Sequence, residues 1–150
     1  MMSLQEKLAS ILRDVLPLDE EPDGGLTVRH EGTFASLQVV NIVEGLDLVS
    51  LTQILVWDLP LTKKISDEVA EHARDNNFGS VTVLEKATAK VGEKAVQRNS
   101  GKSASKTAFK TVDVILRYNF PGAGLTDDAL RTLILLVLDT GARIRGTLTS

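Results

Sequence analysis

Few residues of this 150-residue chain carry reactive chemistry, and their spacing decides what they could do. The two histidines are His30 and His72. Glu68 stands one helical turn before His72, and a carboxylate–imidazole pair at that spacing could ligate a metal or serve as a general base. A metal needs further ligands, and no second cluster accompanies the pair in sequence. A partly exposed surface histidine is the simpler reading. Asp127 and Asp128 are paired acids, but adjacent helical positions point about 100° apart and do not share a site. Negative charge at a helix start explains both. Gly101-Lys102-Ser103 matches the end of a phosphate-binding loop. The full motif needs a glycine where Val96 stands, a buried strand before it and a helix after it. A glycine in a flexible basic loop is the simpler reading. The absence of cysteine excludes disulfides, zinc–thiolate sites and thiol nucleophiles, and it fits a reducing cytoplasm. The expectation is a cytoplasmic protein that is not an enzyme, with no cofactor and no metal.

Charge is segregated. Residues 86–106 carry Lys86, Lys90, Lys94, Arg98, Lys102 and Lys106 against Glu93 alone, while the whole chain is at −3. The rest is therefore strongly acidic, with Asp19, Glu20, Glu21 and Asp23 close together. An acidic body with one basic arm can attract an acidic partner or a second copy of itself. The even spacing of these cations suits one face of a strand better than a helix, where each step of four drifts by about 40°. Lys90, Lys94, Arg98 and Lys102 are the candidate electrostatic contacts. Phosphates are one partner they could meet, but the segment has no aromatic residue on which a base could stack. A solvated loop and docking to an acidic protein surface are the other readings.

The elements that must position these residues follow from periodicity. Leu4, Leu8, Ile11, Leu12 and Val15 form one apolar stripe of a helix over 3–16, with Ser3 and Glu6 as a capping box and Pro17 as its stop. Asp19–Gly25 reads as a loop. Strands follow at Leu26–His30, Phe34–Val43 and Asp47–Trp57, joined by short turns that imply antiparallel neighbours. Thr62 caps a second helix over about 63–76, with Ile65, Val69 and Ala73 inward. Ser80–Leu84 is again a strand. Residues 86–107 hold Val91 and Val96 as their large aliphatics and cannot supply a core, so they read as a flexible basic excursion. From Thr111 the alternation is clear, with Val112, Val114 and Leu116 on one face. Thr126 caps a last helix whose inner stripe is Leu130, Leu133, Ile134, Val137 and Leu138, and Gly141 reads as its C-cap, with continuation of 142–148 as a further turn or tail the alternative.

Leu135 and Leu136 lie beyond that stripe. Two explanations stand: the helix is sandwiched between the sheet and another helix, or these leucines meet a subunit or client protein. The longest uninterrupted apolar run, Leu133–Leu138, is far short of a membrane span, and the charged residues in the first seventeen positions do not suit a signal peptide. The expected architecture is one α+β domain over 1–150, in the order α-β-β-β-α-β-β-α, with a mainly antiparallel five-stranded sheet packed by helices.

In this order, and in three stretches of residues, the chain resembles the YbjN family, which shares the type III secretion chaperone-like fold. The stretches are Ala73-Arg74-Asp75-Asn76-Asn77-Phe78-Gly79 between second helix and fourth strand, Val112–Tyr118, and Gly124-Leu125-Thr126 leading into the leucine-rich helix. The resemblance implies a homodimer that binds a protein segment and carries no catalytic residues. The functional expectation is thus a non-enzymatic, chaperone- or adaptor-like module for a client protein segment. The alternative is a regulatory nucleic-acid binder that uses the basic 86–106 arm.

Overall fold

The computed structural model describes residues 3–86 and 110–150. The chain begins with α1 (Leu4–Arg13), whose start is fixed by the predicted capping box. The Ser3 hydroxyl accepts from the Glu6 amide at 3.1 Å, and the Glu6 carboxylate accepts from the Ser3 amide at 2.9 Å. These contacts hold the Glu6 carboxyl below its ordinary pKa. The helix ends earlier than the stripe suggests. Two amides, those of Val15 and Leu16, both return to the Leu12 carbonyl, so the chain tightens into a turn before Pro17. That turn buries Leu16 and leaves Val15 exposed, the reverse of the expected stripe.

Six strands follow, not five: β1 (Leu18–Glu20), β2 (Leu26–His30), β3 (Thr33–Val43), β4 (Leu46–Pro60), β5 (Ser80–Glu85) and β6 (Thr111–Pro121). They form one sheet in the order β1-β2-β3-β4-β6-β5, antiparallel throughout. The added strand, β1, overlaps the start of the stretch whose composition reads as loop. Three residues with one aliphatic side chain show no period of their own. β1 exists because Leu18 and Glu20 find partners in Val28 and Leu26 of β2. A short, acidic outer strand also discourages edge-to-edge pairing. β6, the last strand in the chain, is not at an edge. It is laid between β4 and β5, where both its backbone edges are paired.

Two further helices, α2 (Lys63–Asp75) and α3 (Asp127–Leu148), pack with α1 on one face of the sheet. The strand alternation decides which face that is. Leu37, Val49, Leu51, Leu116 and Phe120 point into the helical layer and are buried, as the period of two requires. Their neighbours, among them Phe34, Val40 and Leu84, lie on the other face and are exposed. Trp57 is exposed as well, and its ring packs 5.8 Å from that of Phe34. Among the described residues no helix is long and apolar enough to cross a membrane.

The largest departure from expectation concerns α3. Gly141 does not end it. The helix continues to Leu148 and buries Ile144 and Leu148 beyond the glycine. Gly141 is itself buried and faces Gln53, a fully buried residue of β4. A Cβ at Gly141 would lie 2.1 Å from Gln53 Oε1, so no other residue fits there without displacement. The glycine is present for close approach of helix to strand, not for a left-handed cap. In α2, the expected inward Ala73 is exposed, and His72 takes the partly buried place beyond Val69.

The β5–β6 end of the sheet is closed by charge. Lys86 Nζ lies 3.1 Å from Asp58 and 3.2 Å from Asp113, which belong to β4 and β6. Asp113 also accepts from the Asp58 amide at 3.1 Å, where Asp58 adopts a left-handed φ of 57° at a bulge in β4. Hydrogen bonds from Lys86 to Asp58 and then to Asp113 raise the lysine above its ordinary pKa of 10.5. A raised folded-state pKa means a contribution fully present below pH 10.5 and lost as pH climbs through the folded value. Wild type should therefore be more stable than Lys86→Met at neutral pH, with the gap narrowing above pH 10.5. Parallel urea titrations from pH 8 to pH 12 would measure that gap, and a gap that widens would contradict this assignment.

Candidate functional site

α2 and α3 leave a cleft of about 360 Å³ between them, and the turn into β5 completes its wall. Four residues of α3 line it, Leu136, Thr140, Arg143 and Ile144. Their spacing of three and four places them along one side of the helix. The facing wall is His72 and Asp75 at the end of α2, followed by Asn76, Asn77 and Phe78. Phe78 is held edge-on to Tyr118 with ring centroids 6.4 Å apart, which ties that wall to the core.

The polar groups of the cleft fall into two sets. Some are already satisfied and shape it. The Asn76 side chain donates to the carbonyls of Phe78 and Gly79 at 2.9 and 3.2 Å and accepts from the Phe78 amide at 3.2 Å. This self-bonded loop ends α2 and sets the course into β5. Gly79, at φ 94°, passes so close to β6 that a Cβ would meet the Arg117 carbonyl at 2.5 Å. His72 Nε2 is 2.7 Å from the Thr147 hydroxyl, and Thr140 donates to the Leu136 carbonyl at 2.9 Å. The side chains of Asp75, Asn77 and Arg143 have no hydrogen-bond or ion-pair partner among the described residues and stand exposed at the rim. The cleft thus offers an apolar floor of Phe78, Leu136 and Ile144 with one acid, one amide and one guanidinium above it.

The structure distributes the sequence-derived candidates unevenly. Leu136 is 41% exposed and lines the cleft. Leu135 is partly buried against the hydrophobic core, so the widened stripe splits into one inward and one outward leucine. Lys90, Lys94, Arg98 and Lys102 lie outside the described residues, as do Gly101-Lys102-Ser103 and nearly all of the basic excursion at 86–107. Lys86, the first cation of that series, is engaged with Asp58 and Asp113.

The candidate chemical pairs resolve into structural contacts. His72 meets Thr147, and Glu68 approaches Lys64 at 4.0 Å, so the two do not form a dyad. Asp127 lies 3.3 Å from Lys7 of α1, and Asp128 lies 2.8 Å from Arg131. Both support the start of α3, where the Thr126 hydroxyl accepts from the Ala129 amide at 3.0 Å.

One constellation escapes sequence reasoning. His30, at the end of β2, has its Nε2 2.7 Å from Asp139 Oδ1 on α3, a residue 109 positions away in the chain. Glu31 follows in the turn, its carboxylate 3.4 Å from the same nitrogen. No short-range spacing could announce this cluster, because the docking of α3 creates it.

No family model, curated protein or solved structure matches this chain, so the fold and these sites stand on the residues themselves.

Proposed function

We propose that the protein is a non-enzymatic binding module that takes a segment of a client protein into the cleft between α2 and α3. The observation that carries this reading is the composition of that cleft, with the exposed Leu136 in its lining and Asp75, Asn77 and Arg143, unpartnered among the described residues, at its rim. An apolar floor takes one or two aliphatic side chains of a bound segment. The rim groups suit the amides, carbonyls and charges of a peptide better than a wholly apolar ligand. The chaperone- or adaptor-like role implied by the YbjN resemblance agrees with such a site. So does the homodimer it implies, because the helix-free face of the sheet exposes Phe34, Val40, Trp57 and Leu84 and offers apolar surface for a second copy.

Two measurements test these claims separately. A photo-crosslinking residue at position 136 should capture a client that the same residue at Glu44, on the β3–β4 turn, does not. Arg143→Glu in the same chain should weaken that capture by about tenfold, the effect of one charge-assisted contact. Equal capture from both positions, or none from position 136, would remove the cleft from the account. Light scattering across a concentration series should give twice the chain mass, and a monomer at the highest concentration would remove the dimer.

A further inference from the structure

We propose that His30, Glu31 and Asp139 form a binding site for a divalent first-row transition cation, with zinc the best match. One imidazole nitrogen and two carboxylate oxygens lie within 4.8 Å of one another. The Nε2 atom of His30 faces Asp139 at 2.7 Å and Glu31 at 3.4 Å. For metal–ligand bonds of about 2.1 Å, those separations subtend angles of about 80° and about 110°, which spans octahedral to tetrahedral coordination. The imidazole makes the set selective, because a nitrogen donor favours zinc, cobalt or nickel over magnesium and calcium.

Two features argue for a cation rather than a simple ion pair. A single Nε2 atom carries at most one hydrogen, which can point at one oxygen only. The second carboxylate nevertheless lies 3.4 Å from the same nitrogen, and the three side chains taken by themselves stay net negative whichever form the imidazole takes. The backbone that carries the imidazole is also placed in advance. The side chain is only 15% exposed, and the His30 carbonyl accepts from the Thr33 hydroxyl at 2.7 Å. Thr33 in turn accepts from the buried Gln53 amide at 2.9 Å. The carboxylates of Glu31 and Asp139 are 68% and 61% exposed, free to turn onto an ion. His30 and Glu31 also line an open hollow of about 410 Å³, which gives solvent and ions access to two of the three ligands. A bound ion would pin the β2–β3 turn to α3.

The test uses the full chain, stripped with a chelator and titrated with zinc chloride. Zinc at a hundredfold over its dissociation constant should raise Tm by about 8 °C, and calorimetry should show one ion per chain. Magnesium chloride should give no comparable shift. Glu31→Gly is the most informative variant. Glu31 has a φ of 46°, which glycine adopts without strain, so the metal-free variant keeps its Tm while losing a ligand. Its zinc affinity should fall at least tenfold, and His30→Gln should abolish the shift. No zinc-dependent rise in wild type, or an undiminished rise in His30→Gln with Asp139→Ala, would overturn the proposal. The second outcome would put the ion elsewhere, for instance among the acids of 19–23.

Discussion

The seating of α3 on the sheet depends on one contact, the buried side chain of Gln53 against Gly141. Gln53 is fully inaccessible, and its Nε2 donates to the Leu138 carbonyl of α3 at 3.1 Å and to Thr33 at 2.9 Å. The acceptor on α3 fixes which end of the amide is nitrogen. Its Oε1 has no hydrogen-bond partner among the described residues and rests against the glycine. An orphaned buried oxygen costs roughly 1–3 kcal/mol. The contact therefore stabilises little by itself, and its effect is to select one register. Sliding α3 by one residue would bring a side chain onto the amide and break the bond to Leu138. Of the two glycines of α3, Gly141 and Gly146, only Gly141 faces the sheet, so the close approach to β4 is made there.

That register decides what the rest of α3 can do. Leu136, Thr140, Arg143 and Ile144 are turned toward α2 and form one wall of the cleft. Asp139 is turned the other way and reaches His30. Further along, Arg145 donates to the Leu55 carbonyl at 2.8 Å, beyond the point where β3 begins and can no longer pair with β4. The same guanidinium lies 6.0 Å from the Trp57 ring. A Cβ on Gly32 would sit 2.8 Å from Arg145 Nε, so the turn between β2 and β3 leaves space for this side chain. Cleft, histidine cluster and strand end are thus three consequences of one helix position.

Much of the fold was legible because it rests on local periodicity. The alternation of Val112, Val114 and Leu116 and the caps at Ser3, Thr62 and Thr126 are encoded within a few residues, and each is found as expected. β1 was not legible, since its pairing belongs to β2 rather than to its own sequence. Gly141 was misread for a related reason. A glycine near the end of an apolar stripe signals a cap, and only Gln53, on a distant strand, reveals it as a point of close approach. Leu136 was visible as surplus apolar surface on α3, whereas Phe78, Asn77 and Arg143 join it only through tertiary packing. The cluster of His30, Glu31 and Asp139 is tertiary in the same sense.

A double-mutant cycle between Gln53 and Gly141, read by urea denaturation, tests this account most directly. Alanine is favoured over glycine in a helix interior by about 1 kcal/mol, so Gly141→Ala would stabilise an unobstructed helix. With Gln53 present, the overlap should reverse that sign and make Gly141→Ala cost about 1–3 kcal/mol. In a Gln53→Ala background the obstruction is gone, and the same substitution should become neutral or stabilising. An equal effect of Gly141→Ala in both backgrounds, or stabilisation in the wild-type chain, would contradict the claim that this contact sets the position of α3.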